Sequence, residues 1–201
     1  AFGLASPSVT TASVDLGTRN GILIKGSRSL ESLSQVDTIV FDKTGTLTKG
    51  QLAVTDVVTI SATAKETMSI ASSLAKHSLH PLAQAIYQRS SKRQIETRAV
   101  KRLEVVTNRG ISGLIGGKKY YLGSEEYARK LHKSGLPDTS KLRRMGKVIC
   151  YVFTRQQILG VIGISDQPKE GAVGLIKQLH QLGIKTYLLS GDSETATKAI
   201  A

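Results

Sequence analysis

Apolar positions along the chain alternate between a period near 3.6 and a period of 2, and the switches mark the predicted elements. Residues 1–16 (AFGLASPSVTTASVDL) read as the end of a helix, and GTRNG makes a turn before the short apolar run Ile22-Leu23-Ile24. Residues 28–35 fit one or two helical turns. Thr38-Ile39-Val40-Phe41, ending at Asp42, has the continuous apolar pattern of a buried strand. Residues 52–60 alternate as a strand, and residues 64–75 place Met68, Ile70, Ala71 and Leu74 on a helical face. Pro81 suits a first helical turn leading into LAQAIYQR. From Val100 the pattern turns to strands, VKRLEVV, GISGLIGG and KKYYLG, followed by a helix over 124–133 with Ser124 as its cap. Residues 148–154 and 158–164 predict a hairpin, and residues 170–182 a helix that Gly183 ends. Residues 184–189 predict the last strand, and Ser190-Gly191-Asp192 leads into a final helix.

Two βα-type pieces, before about Lys49 and after about Gly163, flank a mixed segment. The fold class this predicts is α/β: a doubly wound parallel sheet interrupted by an inserted α+β domain with an antiparallel sheet. Open parallel sheets bind ligands beyond the carboxyl ends of their strands. Asp42 ends one predicted strand and Ser190-Gly191-Asp192 follows another, so neighbouring strands would bring a carboxylate, hydroxyls and glycine N–H groups together. Such a set suits a phosphate and a divalent cation.

Apolar residues are 40% and charged residues 21% of the 201, a balance that excludes a disordered chain. No apolar run reaches the length of a membrane span. The single cysteine excludes an intrachain disulfide framework and a Cys-cluster zinc site, and Cys150 sits in an apolar run that reads as core. Position 1 is not Met and no signal-peptide pattern follows, so the stretch is expected to lie inside a longer protein. Charge is uneven: residues 86–160 hold 17 Lys and Arg against 5 Asp and Glu, a net of +12, out of +13 for the whole chain. Such a field attracts anions. Aromatic residues are only 4% and do not interleave with the basic ones, which argues against nucleic acid as a partner.

The strongest chemical signal is DKTGTLT, residues 42–48. A carboxylate can attack phosphorus and form an acyl phosphate. Lys43 adds positive charge, Gly45 lets the backbone approach an anion, and Thr44, Thr46 and Thr48 supply hydroxyls. The motif resembles the phosphorylation motif of the P-type ATPases, within the haloacid-dehalogenase-like superfamily. The similarity extends along the chain. His80-Pro81-Leu82-Ala83 looks like the HP motif of the heavy-metal subgroup, and Gly110-Ile111-Ser112-Gly113 like its glycine-rich nucleotide loop. Ser190-Gly191-Asp192 resembles the second phosphate-binding loop, Asp166-Gln167-Pro168-Lys169 the re-entry motif, and Gly3–Pro7 (GLASP) the residues that follow the membrane metal site of copper(I) transporters.

The resemblance implies a division of labour. Asp42 would be phosphorylated by ATP, with Mg²⁺ on its carboxylate and on the Thr44 carbonyl. Lys43, Thr44, Ser190, Gly191 and Asp192 would hold phosphate, while His80, Pro81, Gly110 and Gly113 would bind nucleotide. Residues 1–35 would be the end of a membrane helix and its stalk, and 36–50 the first part of the phosphorylation domain. Residues 51–162 would form the nucleotide-binding domain, and 163–201 an incomplete second part of the phosphorylation domain. The implied parent is an integral membrane pump exporting copper(I), with the metal bound outside this stretch, the membrane and actuator domains as partners, and this portion on the ATP-containing side. Taken alone the stretch is expected to be inactive. Three positions depart from the family pattern at the adenine site: Ala75 and Leu79 stand where glutamates are usual, and Asn108 where the first glycine of Gly-x-Gly is usual. The alternatives are a soluble phosphatase or phosphotransferase of the superfamily, which Thr44 in place of an acid/base aspartate argues against, and a degenerate regulatory nucleotide-binding module.

Overall fold

The structure, a computed structural model, describes residues 2–132 and 135–190, with the side chains of 2–7 and 27 left out. The chain divides into two compact units, Ala1–Phe41 with Val173–Tyr187, and Asp42–Ala172 with Leu188–Ala201.

The first unit carries helices α1 (Phe2–Arg19), α2 (Ser27–Ser34) and most of α7 (Ala172–Gln181), and a two-stranded parallel sheet of β1 (Thr38–Asp42) beside β8 (Lys185–Leu189). Ile22-Leu23-Ile24 forms no strand. The continuous run of β1 predicted burial, yet its residues alternate between exposed and half-buried, and Val40 is 60% exposed. The physical reason is the sheet's width. Among the described residues β1 pairs only with β8, and no described residue of α7 is buried, so no second layer closes over the strand.

The second unit is built on a six-stranded antiparallel sheet in the order β2-β7-β6-β5-β4-β3. The strands are β2 (Thr48–Thr59), β3 (Lys101–Val106), β4 (Gly110–Ile115), β5 (Lys118–Gly123), β6 (Val148–Phe153) and β7 (Ile158–Pro168). Helices α3 (Ala64–Ala75) and α4 (Pro81–Lys92) pack on one face, with Ile70, Leu74 and Ile86 meeting Val152, Ile162 and Ile164. On the other face α5 (Glu125–Leu131) and the short α6 (Ser140–Arg144) cover Tyr121, Tyr151, Phe153 and Val161. The apolar run of β6 is therefore continuous because both its faces are covered, and Cys150 is buried within it. Helix starts follow local chemistry. The Thr63 hydroxyl accepts from Glu66 N at 3.2 Å, and the Ser124 hydroxyl from Tyr127 N at 3.3 Å. Tyr121 stacks on Phe153 at 5.1 Å between centroids, and Tyr127 meets both edge-on at 5.8 and 5.9 Å. The sequence pattern did not predict α6, whose five residues hold one buried apolar side chain, Leu142.

A charge pair crosses the sheet. Asp56 of β2 and Lys147, just before β6, meet over the intervening Gly163 of β7, whose missing side chain leaves the room. Burial pushes the Asp56 carboxyl up, but hydrogen bonds from Lys147 and Thr55 and the charges of Lys147 and Lys141 outweigh it, so its pKa lies below the usual 3.8. A depressed carboxylate pKa contributes stability above its unfolded value and loses it as pH falls through the folded one. Asp56→Ala should therefore lower stability near pH 7 by roughly 1–2 kcal/mol, and its deficit should shrink below about pH 4. Urea unfolding of the two proteins from pH 7 to pH 3 measures this; a gap that stays constant with pH would refute it.

Candidate active site

Asp42 is exposed at the carboxyl end of β1, where backbone pairing stops and the chain enters a tight turn. Thr44 (φ −79°, ψ 119°) and Gly45 (φ 80°, ψ −15°) have the dihedrals of the two central residues of a type II turn. That geometry demands positive φ at its third position, and nothing stands within 4 Å of where a Gly45 side chain would begin. The glycine is thus required by conformation, not by space.

Thr48 closes the turn from inside. It is fully buried, its hydroxyl accepts from Gly45 N at 3.3 Å, and its proton lies between Asp166 Oδ2 at 2.5 Å and the Lys43 carbonyl at 3.0 Å. The other oxygen of Asp166 accepts from Gln51 N at 3.0 Å. Three residues later Lys169 donates from its backbone to Leu47 O at 2.8 Å and from Nζ to Gly45 O at 2.6 Å. The re-entry motif therefore clamps the loop that follows Asp42. Lys43 is only 6% exposed and engaged, whereas Thr44, Gly45 and Thr46 face solvent. Lys185 N donates to Asp37 O at 2.8 Å, and equal steps along the two parallel strands bring half-buried Ser190 level with Asp42. Gly191 and Asp192 lie outside the described residues.

A second feature sits at the same end of the six-stranded sheet. A cavity of about 550 Å³ opens between the start of α4, the β3–β4 turn and the beginning of β6, within the size range of small-molecule sites. Leu82, Ile86, Ile111, Leu122 and Cys150 give it apolar walls. Burial pushes the Cys150 thiol up to about 12, so it stays neutral and unreactive there. Val148, on the rim, pairs with Ile164, four residues before Pro168, which pairs with Thr48. The loop after Asp42 therefore continues past the cavity by about 13 Å of strand.

His80 and Gly110 line this cavity; Pro81 and Gly113 do not. His80 is the N-cap of α4, its Nδ1 accepting from Leu82 N at 3.3 Å, and Pro81 is the first helical residue. Gly110 owes its identity to its neighbours. A side chain there would begin 2.2 Å from Leu122 O and 2.6 Å from Gly123 Cα. A side chain on Gly113 would begin 2.5 Å from Val100, away from the cavity, so that glycine serves the core. Of the departures from the family pattern, Ala75 is fully buried in the core, Leu79 is 93% exposed, and neither lines the cavity. Asn108 does line it, with φ 59°. Asparagine is the residue after glycine that best tolerates this conformation, so the turn survives the replacement. Arg109 is the one Lys or Arg among the described residues that lines the cavity. The apolar walls were not separable in the sequence from core positions, because alternation marks a face as inward without saying what fills the space.

A profile of haloacid dehalogenase-like hydrolases matches residues 36–201, and the chain belongs to that family. Within it the chain is similar, over all of its length, to part of several heavy-metal P-type ATPases. It is 32% identical to the copper-exporting P-type ATPase B of Archaeoglobus fulgidus and 37% identical to the cadmium-transporting ATPase of Staphylococcus aureus, spanning 29% of each. It is 35% identical to the probable copper-importing P-type ATPase A of Enterococcus hirae, spanning 27% of it. A zinc-transporting PIB-type ATPase in its E2.Pi state superposes with a TM-score of 0.86 and 28% identity, over 98% of this chain and 32% of that one. The catalytic domain of the CPx-ATPase CopB-B, solved in connection with nucleotide binding, gives 0.59 and 27% over 88% of this chain and 61% of that one. No helix among the described residues is long and apolar enough to cross a membrane.

The clamp on the loop has a measurable cost of removal. Asp166→Ala leaves the buried Thr48 hydroxyl and Gln51 N without their acceptor, and should destabilise the chain by about 1–3 kcal/mol. Denaturant unfolding followed by circular dichroism checks this, and a loss below 0.5 kcal/mol, about the effect of an unremarkable surface substitution, would show the clamp to be slack.

Proposed function

We propose that this chain is the catalytic portion of an ATP-driven heavy-metal pump whose Asp42 carboxylate accepts the γ-phosphoryl group of ATP. The observation that carries the reading is the exposed Asp42 carboxylate followed by a turn that Asp166 and Lys169 hold, that turn lying at the same end of the six-stranded sheet as an apolar cavity of nucleotide size. The family of the chain and its likeness to heavy-metal P-type ATPases support it. An Asp42 oxygen attacks the γ-phosphorus in line, the bond to the bridging oxygen breaks, and ADP leaves an aspartyl phosphate. Lys43, Thr44, Ser190, Gly191 and Asp192 position the transferring group, which is where catalysis of phosphoryl transfer lies. Thr44 stands where superfamily phosphatases carry an acid/base aspartate, so the acyl phosphate has no adjacent base to activate water against it.

The residues present fit Mg²⁺. Asp42 offers an exposed carboxylate and Thr44 a turn carbonyl, and no cluster of three or more His, Cys, Asp or Glu exists among the described residues. Mg²⁺ characteristically takes one or two protein oxygens and completes its shell with water and phosphate. Bound there, it would neutralise charge on the phosphoryl oxygens.

On this reading residues 51–162 are the nucleotide-binding domain, with His80, Pro81, Gly110 and Gly113 at or behind its cavity. Residues 36–50 and 163–201 belong to the phosphorylation domain, and 1–35 to the end of a membrane helix and its stalk, facing the ATP-containing side of a membrane parent. Copper(I) is the transported ion that Gly3–Pro7 favours. Cadmium or zinc is the second reading, which the 37% identity to a cadmium-transporting ATPase favours.

In the full-length parent, labelled γ-phosphate from ATP should appear as an acid-stable, hydroxylamine-labile adduct, and Asp42→Asn should abolish it while sparing ATP binding, because an amide oxygen is too weak a nucleophile. Undiminished labelling of that variant rules the assignment out. Running the assay with copper(I), cadmium and zinc separately identifies the ion by which one drives turnover.

A further inference from the structure

The nucleotide cavity has apolar walls and few polar side chains, and most of those are already committed. Ser78 Oγ accepts from His80 N at 3.2 Å, His80 Nδ1 from Leu82 N at 3.3 Å, and Ser124 Oγ from Tyr127 N at 3.3 Å. Arg109 faces Glu126 at 3.6 Å. Thr107 brings one hydroxyl. Asn108 is the carboxamide among them: it holds a donor and an acceptor in one plane and, like the Thr107 hydroxyl, is bonded to none of the described residues.

The backbone beneath Asn108 is held in place. Arg109 N donates to Val106 O at 3.0 Å, Ser124 N donates to Arg109 O at 2.8 Å, and Gly110 lies tight against the Leu122–Gly123 backbone. The turn is thus fixed to β5 on the cavity's edge, and the left-handed conformation of Asn108 is one that glycine shares.

Resting on the reading of the cavity as the nucleotide site, we infer that Asn108 reads the base and selects adenine over guanine. A carboxamide matches the N6–N7 edge of adenine, Oδ1 accepting from the N6 amino group and Nδ2 donating to N7. Guanine presents two acceptors on that edge, O6 and N7, so Oδ1 faces a second lone pair and one bond is lost. Asparagine in place of the usual glycine therefore adds base recognition to a turn that glycine would only shape.

Calorimetric titration of the 201-residue chain with ATP and with GTP tests this, with amide chemical shifts recorded in parallel to locate the binding. ATP should bind about tenfold more tightly than GTP, a difference of about 1.4 kcal/mol. Asn108→Gly keeps the turn and removes the amide, and should bring the ATP-to-GTP affinity ratio down from about ten to near one. Asn108→Asp keeps the shape but replaces the donor facing N7 with an acceptor, and should weaken both nucleotides. Shifts at residues 105–111, 122–124 and 148–150 with an ATP-to-GTP ratio unmoved in Asn108→Gly, or affinities unmoved in Asn108→Asp, would overturn the role of Asn108 alone. Shifts that map elsewhere would overturn the cavity reading, and this inference with it.

Discussion

Everything in the candidate catalytic loop hangs on one buried hydroxyl, that of Thr48. It touches the loop twice, at Lys43 O and Gly45 N, and the returning chain once, at Asp166, 118 residues downstream. A threonine placed where backbone turn and β-ladder meet lets one side chain satisfy groups from both. The consequence is that the loop's shape is not a local property. Residues 43–47 have a turn's dihedrals, but the acceptor that holds them arrives only when β7 has paired with β2. Shape at the loop after Asp42 therefore depends on completion of the whole inserted segment, because the two strands that leave and re-enter are also the first and last of its sequence.

The same economy governs the cavity. Gly110 belongs to a motif resembling a nucleotide loop, yet the atoms that exclude a side chain there are backbone atoms of β5. His80 belongs to a motif of the same kind, and it caps α4 with one ring nitrogen. In its neutral form a ring that accepts at Nδ1 carries its proton on Nε2, which leaves a donor for a ligand. Structural and functional roles are thus not alternatives at these positions. Packing holds the residue, and what remains of its bonding capacity is available to the site.

How much of this was legible in the sequence depends on the range of the interaction responsible. Helix α3 was readable from the face that Met68, Ile70, Ala71 and Leu74 share, and α5 because Ser124 caps it within three residues. Strands β3 to β5 and the β6–β7 pair were readable because short turns join them and their runs are rich in apolar and β-branched residues. Asp42 was readable because a nucleophile, a turn glycine and hydroxyls are packed into seven residues. The exposure of β1 was not readable, since an apolar run reports what a strand can pack against and not what covers it. The clamp by Asp166 and Lys169 was visible only as a resemblance, for no local rule joins residues over a hundred positions apart. Ala75 and Leu79 read as losses at the adenine site, yet one is core and the other surface, both off the cavity.

Net charge is the property whose meaning changes most once positions are known. A surplus of +12 over residues 86–160 reads as a field for ATP phosphates. The register places part of it at the far end of the sheet. Lys101 pairs with Leu114, Leu114 with Lys119 and Ile115 with Lys118, and Arg155 follows β6, so these cations gather at the end of the sheet away from the cavity. The length of β5 from Lys118 to Gly123 separates that end from the cavity's edge by roughly 17 Å. Screening in physiological salt acts over about 8 Å, so charges two such lengths away contribute little to a phosphate held at the rim. Nearer the cavity, Arg109 lines it with Glu126 3.6 Å away, and Lys147, paired with Asp56, stands next to Val148 on the rim. Those four cations therefore act on what approaches the far end of the sheet, while the cavity itself presents apolar walls and a few fixed polar groups.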